Sequence, residues 1–290
     1  MFGKNNKLTF NNSKILYFNK LSELTMIGKN FILNTELKDL GRIIKSLDKK
    51  VLIIFLSVAA IQTISWYFTS RLFFRQNFFD SLGANPNYNY FEFAYWFVGD
   101  FFSLFIIPFF IIKMIFKEKI RDYGISIGDY NAGLKLTVLF LVIMIPIIWF
   151  VSSEPVFTAT YPLLINARDS WSIFFIYECG LLFYLFAWEF IWRGFMLFGL
   201  KEKFGYYAVI IQMIPFVILH DGKDPIEVFG AIIGGIALGI LAYRTKSIYY
   251  CVITHAGIMF SIDFISTLRY RTGEFGTGLN SLVHILKQII

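Results

Sequence analysis

The chain has 290 residues, of which 57% are hydrophobic and 20% aromatic, while only 16% carry a charge. Because soluble domains average about 25% charged residues, this composition excludes an ordinary soluble protein and indicates an integral membrane protein. The net charge is +7, and the first 50 residues supply +6 of it, with ten Lys and Arg against four acidic residues. These basic residues flank an apolar run without any recognition motif, so nucleic-acid binding is not expected.

Seven apolar runs are candidate membrane-spanning helices, because about 20 helical residues cross roughly 30 Å of hydrocarbon. They cover residues 51–74, 91–116, 132–152, 172–200, 206–219, 226–243 and 248–268. A further segment, residues 279–290, is an uncertain eighth. The runs are too long and too evenly apolar for barrel strands. The sequence therefore predicts an all-α polytopic bundle of about seven to eight spans over residues 51–290, preceded by a basic arm, residues 1–50.

The basic arm predicts an amphipathic helix that lies on the membrane surface. Its apolar residues, at spacings of four and three, are Leu33, Leu37, Leu40, Ile44 and Leu47. Its basic residues on the other faces are Lys38, Arg42, Lys45 and Lys49. Such a helix places its basic face against anionic lipid. The alternative is a solvated positive leader that only sets the topology.

The positive charge also predicts the orientation. An arm of this charge belongs in the cytoplasm, and the basic loops at residues 113–121, 201–203 and 244–246 then return to the same side at every alternate crossing. The richness in Phe, Ile, Lys and Asn is typical of a prokaryotic chain. We therefore expect a protein of a prokaryotic cytoplasmic membrane with a cytoplasmic N-terminus.

Three ionisable residues interrupt the apolar runs at similar depth. Glu189, His220 and His255 fall within about 9 Å of one another along the membrane normal, given a helical rise of 1.5 Å per residue. Ionisable groups are costly in lipid and usually face a bundle interior or a wet cavity, so we expect the three to share one cavity. Arg193 lies one turn from Glu189 on the same face. The alternatives are a structural ion pair and two packing histidines.

Two chemistries fit these residues. In the first, Glu189 and His220 polarise a water molecule while His255 donates a hydrogen bond to the developing oxyanion. In the second, the same three side chains hold a zinc ion with one open position. The helical H-E-x-x-H signature is absent, and ligands on separate helices are a weak metal signal. We therefore favour the metal-free reaction and expect no cofactor, with zinc as the alternative.

The motifs resemble those of the CPBP intramembrane proteases, the family of CAAX-prenyl endopeptidases and of Abi or bacteriocin-processing proteins. The family pattern is E-E-x-x-x-R, then F-x-x-x-H, then H-x-x-x-N on consecutive membrane helices. Glu189 and Arg193 match the first motif, Phe216 and His220 the second, and His255 the third. The resemblance implies an intramembrane endopeptidase that cleaves a membrane-tethered peptide or protein, with the matching residues as its catalytic set.

The resemblance covers about residues 172–263 and contains two departures. Trp188 stands where the family has its first Glu, and Met259 stands where it has the Asn of the oxyanion site. An indole donates a single N–H and a thioether accepts weakly, so neither replaces the missing group. We expect Glu189 to act as the base or to orient water, and Arg193 to keep it ionised.

Three more polar residues are candidates for contact with the substrate. Lys223 and Glu227 are one turn apart and are predicted to pair near the mouth of the cavity. Asp263 lies two turns beyond His255, about 12 Å further along the helix. The alternative to a protease is a catalytically silent membrane protein of the same fold, such as an immunity or scaffold protein. A transporter is less favoured, because no paired repeats with interrupted helices are evident.

Overall fold

The computed structural model describes residue 20 and residues 34–287. The chain divides into two compact units, Met1–Lys49 and Lys50–Ile290. Throughout the described residues the regular elements are helices and no strand is present. The predicted all-α helical bundle is therefore confirmed.

In the first unit, residues 34–46 form a helix. Its large exposed apolar side chains are Leu37, Leu40, Ile43 and Ile44. The helix is shorter than the sequence pattern suggested, because Leu47 and Lys49 lie beyond its end, and Leu33 lies outside the described residues. The apolar stripe predicted from Leu37 to Ile44 is present, and its contact with lipid stays a prediction.

In the second unit, six helices are long and apolar enough to cross a membrane. They are α1 (Lys49–Leu82), α2 (Tyr88–Phe116), α3 (Tyr130–Val151), α4 (Trp171–Phe204), α6 (Pro225–Thr245) and α7 (Tyr249–Thr272). Two shorter helices complete the set, α5 (Tyr207–Ile218) and α8 (Leu279–Lys287). Short helical segments also occupy Ile120–Tyr123, Pro155–Thr160 and Ile165–Arg168 in the loops.

Several of the long helices contain π-helical segments, in which the backbone hydrogen bonds span five residues instead of four. These π-helical segments are Ser65–Thr69, Phe102–Ile106, Ile111–Phe116 and Phe190–Phe198. In α1 the helix is interrupted after the first of them at Ser70, whose backbone is extended and whose side chain accepts from the Phe73 N–H. The first span is thus longer than the predicted run of residues 51–74, and its second half restarts at Arg71.

The fifth predicted span, residues 206–219, is the short helix α5. Its 12 residues cover only about 18 Å, less than the roughly 30 Å of a bilayer core. Pro215 lies near its end, and the following turn contains Gly222 at φ +83°. Asp224 then caps α6 by accepting from the Ile226 N–H at 2.8 Å. Residues 207–224 thus form a short helix followed by a turn, and the predicted span at this place stays a prediction.

One end of the bundle, the basic end, joins the loops that the charge pattern assigned to a single side. Lys50 pairs with Glu118 at 2.8 Å, and Arg244 pairs with Asp129 at 2.9 Å. Gly128 has φ +57°, and a Cβ there would lie 1.9 Å from the Thr245 carbonyl oxygen, so only glycine fits this approach. The loops meet as predicted, and which side of the membrane they face stays a prediction.

The opposite end joins the loop after α3 to the ends of α5, α6 and α7. Arg269 is fully buried there and donates to the Ser152 hydroxyl at 2.9 Å. Tyr161 donates to Glu227 at 2.8 Å, and Lys223 donates to Tyr161 at 3.3 Å. The segment from Tyr207 to Lys223 therefore leads to this end of the bundle, and whether it crosses the membrane stays a prediction.

Candidate functional site

The site is centred on Glu189, where the regular part of α4 changes into the wide turns of Phe190–Phe198. Every residue from 189 to 200 is buried. Arg193 Nη1 donates to Glu189 Oε1 across 3.1 Å, and both side chains have no exposed surface. The contact predicted from their spacing is confirmed. Local π-helical turns are frequent at functional sites.

His255 approaches Glu189 from α7. Its Nδ1 lies 2.7 Å from Glu189 Oε1. Since an ionised carboxylate only accepts, we assign the proton to Nδ1, and in a neutral ring Nε2 is then an acceptor. The His255 side chain retains 16% exposure while Glu189 has none. The two residues that the sequence placed at one depth are therefore in direct contact.

His220 lies in the turn after α5 and contacts Phe216 rather than Glu189. Its Nδ1 lies 2.7 Å from the Phe216 carbonyl oxygen, so Nδ1 carries the proton and Nε2 is the free nitrogen. Among the described residues, no hydrogen bond joins His220 to Glu189. The expected joint action of Glu189 and His220 on one water molecule thus has no direct contact to support it.

The Phe216 ring is the common neighbour of the charged residues. Its centroid is 4.7 Å from that of His220 and 6.3 Å from that of His255. The Arg193 guanidinium carbon lies 4.2 Å from the same centroid, a distance at which a cation is attracted to a ring face. Phe216 therefore links the F-x-x-x-H motif to Glu189 and to α7.

Several polar atoms of the site have no hydrogen-bonding partner among the described residues. They are Glu189 Oε2, Arg193 Nε, Arg193 Nη2 and Trp192 Nε1. Buried polar atoms are hydrogen-bonded in the great majority of cases, so a group with this many unpaired atoms requires an explanation. Groups from outside the chain, such as a water molecule or a peptide, have the hydrogen-bonding capacity to pair with them.

The two departures from the family pattern pack beside the site. The Trp188 ring lies 5.7 Å from that of Trp192 and 6.1 Å from that of Phe216. Met259 packs against an aromatic cluster that includes Phe93 and Tyr177. Both side chains fill apolar space next to Glu189 and His255.

The remaining predicted residues lie at the opposite end of the bundle or between the two regions. Lys223 pairs with Glu227 at 3.4 Å, which confirms the predicted contact. Sequence reasoning missed Tyr161, which is 2% exposed and binds both residues. Burial, together with the Glu227 carboxylate, raises the pKa of Tyr161 well above its usual value. Asp263 is fully buried and does not join Glu189.

The zinc alternative has no preformed ligand cluster. Within residue 20 and residues 34–287, no group of three or more His, Cys, Asp or Glu side chains is placed to hold a metal ion. In particular, Glu189, His220 and His255 do not form such a group, because His220 binds Phe216 instead.

Two cavities of moderate size open near the site without reaching its centre. One, of about 630 Å³, is lined by Trp66, Val217, Ile218, Leu219, Asp221 and Val228, next to the turn that carries His220. The other, of about 560 Å³, lies between α2 and α4 and is almost wholly apolar. Neither lining includes Glu189 or His255.

Part of the chain matches a known protein family. Residues 169–261 match the type II CAAX prenyl endopeptidase Rce1-like family. The matched segment, called the Rce1-like segment below, contains Glu189, Arg193, His220 and His255, so it agrees with the resemblance to CPBP proteases. Searches of the curated proteins and of the solved structures give no match. Together with the six apolar helices, the Rce1-like segment supports an integral membrane protein.

Proposed function

We propose that the protein is an intramembrane endopeptidase that hydrolyses a peptide bond of a membrane-tethered substrate. One observation carries the proposal: inside the Rce1-like segment, a fully buried Glu189 accepts hydrogen bonds from both Arg193 and His255. A carboxylate, a guanidinium and an imidazole are expensive to keep within a membrane. Such a cluster is expected where it performs chemistry.

The contacts favour a division of roles different from the one expected from the sequence. Glu189 is wholly enclosed, whereas His255 has some exposure, so the imidazole is the member that meets a water molecule. In this assignment His255 Nε2 accepts a proton from water as the oxygen attacks the carbonyl carbon, and it returns the proton to the leaving amine. Glu189 orients the ring and stabilises its protonated form, and Arg193 pairs with the carboxylate.

His220 supplies a second imidazole. Its Nδ1–H is occupied by the Phe216 carbonyl, so Nε2 is the nitrogen that faces other groups. In this tautomer Nε2 is an acceptor, so it receives a hydrogen bond from the attacking water molecule or from an N–H of the substrate. The unpaired N–H groups of Arg193 are the donors assigned to the oxyanion that develops on the substrate carbonyl, and they offset the absence of the family Asn at Met259.

The substrate side of the proposal follows from the topology. The substrate is a membrane-tethered peptide or protein that reaches the site from the cytoplasmic leaflet of a prokaryotic membrane. The basic arm lies on the cytoplasmic side, and the helix of residues 34–46 binds anionic lipid through its basic face.

A second candidate function is a catalytically silent protein of the same fold that acts by binding a partner, as an immunity or scaffold protein does. Two observations favour it. Trp188 and Met259 occupy positions at which the family has catalytic groups, and neither cavity near the site reaches Glu189. In that case the contact between Glu189 and His255 only holds α4 against α7.

The deciding experiment is cleavage of a membrane-anchored reporter library by the wild type and by Glu189→Gln and His255→Ala. Both variants should lose cleavage while the folded protein stays abundant, because the amide keeps the shape of Glu189 without its charge. His220→Ala should also lose cleavage, because the Nε2 acceptor that positions water or substrate is then missing.

The matched control is Glu92→Gln. Glu92 is also buried, at 2% exposure, and pairs with Arg71 and Arg75 away from the site. Loss of its charge therefore tests the effect of breaking a buried ion pair on stability while the proposed catalytic residues stay unchanged. Equal cleavage by the wild type and Glu189→Gln would end the protease proposal. New activity in the double variant Trp188→Glu with Met259→Asn, from an inactive wild type, would establish the silent alternative.

A further inference from the structure

A second polar cluster lies between α4 and α7, away from the Glu189 site. Asp263, Ser266 and Thr267 are fully buried, and their spacing of three and four residues places them on one face of α7. Across from them, on the adjacent helix α4, the Glu178 carboxyl is close enough to Asp263 for the two groups to interact electrostatically. Asp263 is eight residues beyond His255, about 12 Å along the helix.

The two carboxyls have no counter-charge at contact distance. Within the described residues, no N–H or O–H donates to either oxygen of Asp263 or to Glu178 Oε1. Two basic side chains interact with Asp263 at longer range. Lys223 binds Tyr161 and Glu227, and Arg168 Nη2 donates to the Ala159 carbonyl while its Nε has no hydrogen-bonding partner among the described residues. Buried charges are stable only when they are paired or hold a cation.

The hydroxyls of Ser266 and Thr267 are an independent observation. Neither has a hydrogen-bonding partner among the described residues. On the same helix, Ser261 donates to the Gly257 carbonyl at 2.7 Å, which is the usual way a helical Ser is satisfied in an apolar environment. Ser266 and Thr267 forgo that bond, so their oxygens are free to bind a ligand beside Asp263.

Another buried acid of the same protein shows how different this arrangement is. Asp100 on α2 is 2% exposed and accepts hydrogen bonds from Ser65, Thr69 and Trp96. Its charge is thus solvated by donors of the chain. Asp263 has hydroxyls and a second carboxyl around it but no donor bound to it, which is the composition of a cation site rather than of a satisfied acid.

We infer that Glu178, Asp263, Ser266 and Thr267 bind a small hard cation between α4 and α7. Hard cations take carboxylate, hydroxyl and carbonyl oxygens as ligands. Because the cluster offers only oxygens, we do not expect it to bind soft transition metals. The bound cation neutralises the carboxyl pair and cross-links the two helices that carry Glu189 and His255. This inference does not depend on the proposed protease activity.

The test is the melting temperature of the full-length protein in detergent after treatment with a chelator. It is measured in NaCl and in CaCl2 against choline chloride of equal ionic strength. At least one cation should raise the melting temperature with the logarithm of its concentration, as a ligand of the folded state does. Asp263→Asn should abolish the response, and Ser266→Ala should move its midpoint about fivefold or more to higher concentration. The control Asp100→Asn should keep the response.

Equal melting temperatures in all three salts would overturn the inference, as would a cation response that survives in Asp263→Asn. Stabilisation by acid alone, without any cation effect, would also overturn it and leave a proton shared by the two carboxyls. If Asp263→Asn does not fold, Ser266→Ala and Thr267→Ala decide the matter, because unchanged midpoints in both exclude the site.

Discussion

The pair of Glu189 and Arg193 should contribute strongly to stability whether or not the protein is an enzyme. The two charges are 3.1 Å apart and fully buried, and at an effective dielectric constant of about 20 their attraction is about 5 kcal/mol. Removing one partner leaves the other buried without its counter-charge, which costs about 3 to 5 kcal/mol. Arg193→Met should therefore lower the free energy of unfolding by an amount in this range.

Glu189→Gln should cost less, near the lower limit, because an amide oxygen still accepts from Arg193 and His255. The double variant should recover part of the loss, since neither charge is then stranded. We expect a coupling energy of about 3 kcal/mol, the upper end for residues in contact. The assay is reversible unfolding in mixed detergent micelles, followed by circular dichroism, for the four members of the cycle.

The exposed pair of Arg244 and Asp129 is the matched control. It has a similar separation, 2.9 Å, but its side chains are 62% and 40% exposed, and such pairs couple by about 0.2 to 1 kcal/mol. Asp129→Asn keeps the cap on α3, in which Asp129 accepts from the Ala132 N–H. If the buried pair couples no more strongly than this control, the attribution of stability to burial is wrong.

Three further outcomes are expected. In a variant without Cys179 and Cys251, a single cysteine at Lys201 should resist an impermeant thiol reagent in intact cells and one at Asn166 should react; the reverse pattern would invert the topology. Purified protein should contain no stoichiometric zinc by elemental analysis, and one zinc per chain that disappears in His220→Ala would establish the metal mechanism. Replacing four basic residues of the isolated arm together should weaken its binding to anionic vesicles by up to about 1 kcal/mol per charge. The four residues are Lys38, Arg42, Lys45 and Lys49. Unchanged binding would mean that the arm acts only as a topology signal.

The sequence predicted those parts of the site that depend on helical spacing. Arg193 had to lie on the face of Glu189 because four residues make about one turn. The number of residues between each side chain and the nearest basic loop also predicted that His255 and Glu189 lie at the same depth in the membrane. Both predictions require only regular helix geometry and a helix end that the basic residues of the loop mark in the sequence.

Contacts that depend on the packing of separate helices were not predictable in this way. Depth counting put His220 beside Glu189, but its ring contacts Phe216, one turn earlier in the chain, and makes no hydrogen bond to Glu189 among the described residues. Tyr161 lies in a loop whose position is set by α3 and α7, and nothing in its neighbourhood signals a partner. The fifth apolar run counted as a full span because hydropathy does not register that α5 ends at Ile218.

The shortness of α5 has a consequence for the surrounding lipid. A helix of about 18 Å in a core of roughly 30 Å creates a hydrophobic mismatch on one side of the bundle, and bilayers respond to such a mismatch by local thinning. The 630 Å³ cavity lined by Ile218 and Asp221 opens at this place. We expect such thinning to bring head groups and water closer to the turn that carries His220.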